Sequence, residues 1–432
     1  MESILDQAKK VAEEAEVFTY SSEETPVHFE ANRLKQIQSK QSSSIALRII
    51  KNGRIGYAST TESGNIQNLI DMAVETAQFG MTARFKFPAI KAHPQIDIFD
   101  PDVVSVSTGE MINLGEQLIS VVREKNSELL CEAFVTRGTS SINIINSRGG
   151  EAEYKRSFFS LGVEGQLIRG TDMLFVGDSQ SSCHPILKTT DIVKEVLKQL
   201  EYAREQATVP TKSLPVIFTP EGVANALISP LMSAFNGKLV LEGASPIGKR
   251  IGQKVFNEKL SLWDDPTISY QPGSRPCDDE GVTSQQTPLI EQGVVTHFLY
   301  DLQTAAMANT QSTGNGRRSG GLPAPSPSAF VIATGDTTFD DMVSDIKEGL
   351  VVEYLMGATQ GNILGGDFSG NVLLGYKIEN GKIAGRVKDT MVSGNIYHLL
   401  SEITAIGSEA KWIGGMLNTP PIYLPGVSVA SK

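Results

Sequence analysis

The apolar residues of this chain change their period repeatedly along its length, and that switching restricts the folds open to it more than any other feature. Ile4, Ala8, Val11, Ala12 and Ala15 recur at helical spacing. Val17-Phe18-Thr19-Tyr20, Val27-His28-Phe29-Glu30, Ser44 through Ile50 and Ile55-Gly56-Tyr57-Ala58 then read as strands. Lys51-Asn52-Gly53-Arg54 supplies a hairpin turn, since Asn-Gly tolerates the positive φ angles a tight turn needs. Ile66, Leu69, Ile70, Ala73, Val74 and Ala77 return to the helical period, with Gly80 as a C-terminal cap. Residues 85–101 carry Pro88, Pro94 and Pro101 and form a connection, which places a boundary near 105.

Beyond that boundary Met111, Leu114, Leu118 and Val122 mark a helix, and two strands follow near 142–145 and 157–161, joined by the turn Asn146 to Gly150. Val193, Val196, Leu197 and Leu200 make another amphipathic helix, and Val209-Pro210 closes the segment before the strand Pro215-Val216-Ile217-Phe218. After Gly237 glycine becomes frequent, strands shorten, and turns such as Glu379-Asn380-Gly381-Lys382 alternate with apolar runs. The expected class is α+β: an N-terminal α/β module over 1–105, a central α+β module over 106–212, and a C-terminal β-rich, barrel-like domain over 213–432.

A formal charge of −11 argues against a dedicated nucleic-acid surface, because phosphate binding needs clustered Lys and Arg. Cys131, Cys183 and Cys277 are too few and too scattered for a disulfide framework, which fits a reducing cytoplasm. The first residues lack the basic start and apolar core of a signal peptide, and no apolar run is long enough to span a membrane, so a cytoplasmic protein without membrane contact is expected.

Three C-terminal motifs stand out. Cys277-Asp278-Asp279-Glu280-Gly281 places three carboxylates before a glycine, which suits either closure on a cation or hydrogen bonding to backbone amides in a turn that shapes a cleft; the second is favoured. Thr313-Gly314-Asn315-Gly316-Arg317-Arg318 joins two glycines that permit close backbone approach to two guanidiniums with planar donor arrays. Peptide binding is one use of such a loop, and an interdomain or intersubunit salt bridge is the other. Gly320 to Pro327, with alternating prolines, should be an extended segment lining the same cleft. No P-loop order or G-x-G-x-x-G after a strand is present.

In order and spacing these motifs, with Leu289 to Val295, Gly361 to Gly370, Gly375 to Gly381 and Gly426 to Ala430, resemble the TldD/PmbA family, and its PmbA/TldE branch in particular. Catalytic members carry His-Glu-x-x-x-His on a helix after a strand, giving two imidazole ligands and a carboxylate to accept a proton from metal-bound water. Here that helix is expected to begin at Thr219 and Pro220 and to bury Val223, Ala226, Leu227, Leu231 and Phe235, with Ile228, Ser229 and Ser233 standing where His, Glu and His would fall and Pro230 distorting the turn between them. No histidine lies between His184 and His297. Catalytic members add a C-terminal cysteine ligand, whereas the last cysteine here is Cys277. His184, His297, Cys183, Cys277, Asp278, Asp279 and Glu280 are the other conceivable ligands, each better read as structural.

The resemblance therefore implies a chain with no catalytic residues, no metal site and no cofactor of its own. It would be a non-catalytic cytosolic subunit paired with a zinc-bearing TldD-like metallopeptidase that processes unfolded peptides. The family's association with modulation of DNA gyrase would run through proteolysis and not through DNA binding. Gly314, Asn315, Gly316, Arg317 and Arg318 are the candidate substrate-binding residues, and Asp278, Asp279, Glu280 and Gly281 the candidate cleft-shaping residues. The alternative is a stand-alone homodimeric peptide-binding or scaffold protein without peptidase activity.

Overall fold

The computed structural model describes residues 1–62, 64–170 and 172–431. The N-terminal half is built on one long antiparallel sheet. Its strands are β1 (Glu14–Glu30), β2 (Arg33–Ile37), β3 (Lys40–Lys51), β4 (Arg54–Thr60), β5 (Leu130–Asn146), β6 (Glu151–Arg169) and β7 (Asp172–Ser182). They lie in the order β4-β3-β1-β5-β6-β7, with β2 also on β1. The strands expected at 17–20 and 27–30 are one continuous strand, because β1 has both neighbours to pair with: β3 along Glu14 to Glu24 and β5 along Glu16 to Phe29. The sheet thus runs across position 105, drawing β1–β4 from one side of it and β5–β7 from the other.

The helices are α1 (Glu2–Ala8), α2 (Ile66–Ala77), α3 (Pro101–Ser105), α4 (Thr108–Lys125) and α5 (Thr190–Tyr202). The periodicity extends the first helix to Ala15, but α1 stops at Ala8 and Ala15 already lies in β1, where its methyl is buried. Ala is a weak discriminator here, since it fits a helix and a tightly packed strand alike. The α1 and α2 residues Ile4, Leu5, Ala8, Leu69, Ile70 and Ala73 pack on Ala15, Val17, Leu47 and Ile49. Strand alternation then sends Glu16, Phe18 and Arg48 to the opposite face. Helix α4 starts on a capping box, with Ser107 and Glu110 each satisfying the other's backbone N–H. The Asn52-Gly53 turn has φ of 51° and 69°, as its sequence predicts.

The C-terminal half contains a closed five-stranded barrel. Lys212–Phe218 pairs with Glu348–Met356 and with Ile422–Ser431, and Thr390–Asn395 joins the latter to Asp367–Glu379, which returns to Glu348–Met356. Inward residues such as Val216, Val352, Leu355, Val392, Leu424 and Val429 share one core with Val223, Ala226, Leu227 and Leu231 of the helix after Lys212–Phe218. Burying one side chain of that size stabilises by roughly 1.5–3 kcal/mol. Part of the barrel's outer wall is apolar too: Val351, Tyr376, Ile378 and Tyr423 bury against α4 and α5. A six-stranded sheet including Leu262–Asp264, Thr287–Glu291 and Phe330–Ile332 carries the loops that reach the N-terminal half. Among the described residues no helix is long and apolar enough to cross a membrane.

Candidate functional site

The two acidic and glycine-rich loops meet. Asp278 closes its own turn by accepting from the N–H groups of Glu280 and Val282, each at 2.9 Å, and its other oxygen accepts from Gly316 N–H at 2.8 Å. Asp279 donates its N–H to Gly316 carbonyl at 2.9 Å and accepts from Arg318 N–H at 2.7 Å. Asn315 donates to the buried Asp264 at 2.6 Å, whose second oxygen accepts from the N–H groups of Ser328 and Ala329. The glycines are required by this approach. A Cβ at Gly316 would stand 2.5 Å from a Glu280 carboxylate oxygen, and Gly314 has φ +73° with Thr283 carbonyl 2.7 Å from where its Cβ would be. Gly316→Ala should therefore lower stability by about 1–3 kcal/mol in urea unfolding. Gly109→Ala, in α4 with only Ser107 Oγ at 3.8 Å, should leave the midpoint unchanged or higher.

From this seam a row of alternating charges crosses to the sheet. Glu280, fully buried, accepts from Arg48 at 2.6 Å and from Leu302 N–H at 2.7 Å. Arg48 also donates to Glu16 at 3.1 Å, its cross-strand partner, and Arg318 donates to the second Glu16 oxygen. The Arg48 guanidinium lies 4.9 Å from the ring centroids of both Phe85 and Phe87, and that of Arg318 lies 5.1 Å from Phe18. Burial alone would lower the Arg48 pKa, but Glu16 and Glu280 outweigh it and raise it. Burial also pushes the Glu280 and Asp278 carboxyls up, against the pull of Arg48 and Arg275 respectively.

The two adjacent arginines separate in role. Arg318 is committed to Glu16 and to the Asp279 carbonyl at 3.2 Å. Arg317, half-buried in the short strand Gly316–Arg317, makes no ion pair among the described residues, and burial followed by neighbouring Arg275 draws its pKa down. A desolvated guanidinium beside other guanidiniums favours an anionic group such as a peptide carboxylate.

The helix after the first barrel strand starts at Thr219, whose Oγ1 accepts from Gly222 N–H at 3.3 Å. It is not continuous: Val223–Leu227 forms a π turn between Pro220–Gly222 and Ile228–Ala234. Pro230 has no N–H to offer the Ala226 carbonyl and its ring would press on that carbonyl, and a wider turn removes the conflict. Ile228 is buried, and Ser229 and Ser233 are half-buried. A hydrocarbon and two neutral hydroxyls do not fit a zinc ion, which selects imidazole, thiolate or carboxylate donors. Among the described residues the other conceivable ligands join no group of three that could hold a metal ion. His184 pairs with Asp100 at 2.5 Å and stacks on Tyr270, His297 contacts the Pro288 carbonyl at 2.9 Å, and burial pushes the Cys183 thiol up to about 11. His297 lies past the short strand Val294–Val295.

Below this helix lies a charged group that no sequence motif announces. Thr219 Oγ1 donates to the buried Glu353 at 2.9 Å. Burial, followed by Glu195, pushes Glu353 up to about 7. Lys411 pairs with Asp178 on β7 and, at 3.5 Å, with Glu221. Burial pushes Asp178 up to about 6 despite Lys411. A lone Glu in Leu350-Val351-Val352-Glu353-Tyr354-Leu355 was the available signal, as Glu16 and Arg48 were within β1 and β3.

Fold and site together define a two-lobed α+β protein whose C-terminal barrel carries a strand–helix unit and whose lobes are joined by buried ion pairs. The chain belongs to the PmbA/TldD family. Residues 211–431 match the PmbA/TldA metallopeptidase C-terminal domain, and residues 15–77 match the PmbA/TldA metallopeptidase domain 1. A metalloprotease of Methanothermobacter thermautotrophicus is 26% identical over 427 residues, covering 95% of this chain and 91% of that one. An uncharacterized protein of Methanocaldococcus jannaschii is 25% identical over 431 residues, covering 99% of each. Among solved structures, TldE from Thermococcus kodakarensis superposes with a TM-score of 0.90 at 23% identity, covering 100% of both chains. A Thermotoga maritima protein described as a candidate modulator of a DNA gyrase superposes at 0.89 with 21% identity, covering 99% and 100%. These likenesses show the fold.

Proposed function

We propose that this chain is the non-catalytic subunit of a cytoplasmic two-chain peptidase, pairing with a zinc-bearing TldD-like subunit and helping to hold unfolded peptides. What supports the reading is that the helix after Lys212–Phe218 carries Ile228, Ser229 and Ser233, none of them a zinc donor, where the family resemblance puts the metal donors of catalytic relatives. The chain's own share is binding: Arg317 offers a guanidinium to a peptide carboxylate, while Asp278, Asp279, Glu280 and Gly281 fix the loop that positions it. Gly314, Asn315 and Gly316 keep the backbone close to that loop. Any influence on gyrase would follow from peptide turnover by the pair.

The test is zinc content and peptide cleavage by the purified chain, alone and mixed with a TldD-like chain from the same source. Zinc and cleavage confined to the mixture support the reading. Stoichiometric zinc and cleavage by this chain alone overturn it, and peptide binding with no gain in the mixture favours the stand-alone scaffold. Within an active mixture Arg317→Ala should raise KM about tenfold with an unchanged melting temperature, the loss of one charge-assisted contact. Unchanged KM removes Arg317 from the substrate.

A further inference from the structure

Arg317 has two guanidinium neighbours, one from each half of the molecule. On β6, half-buried Arg156 donates to the Pro272 carbonyl at 2.6 Å, reaching from the sheet to the C-terminal half. Further along that C-terminal loop Arg275 donates to Ser328 Oγ at 2.8 Å and lies 3.7 Å from Asp279. Asp279 in turn holds the backbone on either side of Arg317, through the Gly316 carbonyl and the Arg318 N–H. Tyr154, on the same face of β6 as Arg156, sits among these groups: burial pushes its phenol up, with Asp279 and Cys277 adding to the rise and Arg156 and Arg275 opposing it.

Charge does not balance in this corner. Arg275 is answered by Asp279 and by nearby Asp278. Arg156 and Arg317 make no ion pair among the described residues. Burial, then Arg275 and Arg156, draw the Arg317 pKa down against the pull of Asp279. Arg275 is 5% exposed, and its buried Nε has no hydrogen-bond partner among the described residues. In a chain of net charge −11, cations held together without a counter-charge carry a repulsion that a bound anion removes.

The sheet beside them is suited to a peptide of any sequence. Register places Ser22, Ser42 and Ser140 in one row with Arg156, and Tyr20, Ser44 and Ile142 in the next row with Tyr154. Both rows share the face of Phe18 and Arg48 that looks toward the C-terminal loops, since alternate residues of a strand point the same way. Arg156 is the one charge in the two rows, so an anion is attracted there while neutral side chains are neither selected nor repelled.

We infer that Arg156 and Arg317, backed by Arg275, form a subsite for the C-terminal carboxylate of a peptide. This rests on the peptide-binding reading of the Arg317 loop and adds which end of the peptide is held. A free α-carboxylate is the one anion that every unfolded peptide carries whatever its sequence, and its planar pair of oxygens matches the fork of a guanidinium.

The test is fluorescence anisotropy of an N-terminally labelled, unfolded peptide without Asp or Glu, titrated with the purified full chain. The free acid should bind about tenfold more tightly than the same peptide with a C-terminal amide. Arg156→Gln and Arg317→Gln should each weaken binding of the acid about tenfold and leave the amide unchanged, with native melting temperatures. Arg169→Gln, which removes an exposed cation paired with Glu128, should bind the acid like the native chain. Equal affinity for acid and amide overturns the inference and leaves peptide binding by the chain intact. So does an amidated peptide with an internal Glu that binds as tightly as the free acid. Inorganic phosphate displacing the acid at lower concentration than acetate does overturns it in favour of a phosphate site. Binding of neither peptide overturns both this subsite and the chain's share in holding peptides, while zinc and cleavage in the mixture still decide the two-chain reading.

Discussion

Replacing Arg48 with alanine is expected to lower folding stability by about 3–5 kcal/mol, since it strands Glu16 and Glu280 in the interior without their shared cation. Both carboxylates are fully buried, and Arg48 links them across a chain separation of 232 residues in the Glu280 pair. The charge row Arg318, Glu16, Arg48, Glu280 would be left with one cation for two anions. Urea unfolding at pH 7 measures the loss. The quadruple variant Arg48→Met, Arg318→Met, Glu16→Gln, Glu280→Gln should recover much of it, because the desolvation cost goes with the charges. If Arg48→Ala melts like the native chain, the row does not join the lobes.

The second large effect is on pH dependence. Glu353 is held near 7 in the folded protein by burial, against a carboxyl near 4.5 in the unfolded chain. Between those values the folded state keeps a proton that the unfolded state has released, so stability falls as pH rises through this window. The loss from this one carboxyl amounts to about 3 kcal/mol by pH 8. Asp178, pushed up to about 6, adds to the same slope at the lower end. Glu353→Gln keeps the shape and can still accept from Thr219, so it should flatten the profile and raise the melting temperature at pH 8. A native profile that rises from pH 5 to pH 8 and is matched by the variant would show that Glu353 is ionised in the folded state.

Both effects involve residues that the sequence presented only as lone charges in apolar strands. The turns at Asn52-Gly53 and Asn380-Gly381 were legible because a two-residue connection with positive φ has a local chemical signature; the structure gives φ of 50° and 76° at the second. The helices α2, α4 and α5 were legible for a similar reason, as each carries an apolar stripe within one segment. The end of α1 was not, because the helical spacing treats Ala12 and Ala15 alike whether they continue a helix or enter a strand. The π turn at Val223–Leu227 was half legible: Pro230 announced a distortion, but the choice of a wider turn was settled by packing of Val223, Ala226 and Leu227 into the barrel.

Residue pattern alone was enough for the helices α2, α4 and α5, the Asn-Gly turns, the α+β class and a β-rich C-terminal half, since each is written in adjacent residues or in composition. It took the folded chain to commit Arg318 to Glu16 while Arg317 makes no ion pair among the described residues, and to bury Glu353 beside Thr219. The physical reason is that local pattern fixes which side of an element is apolar, whereas strand register and lobe docking fix which distant charges are desolvated together. No spacing rule within one segment carries that information.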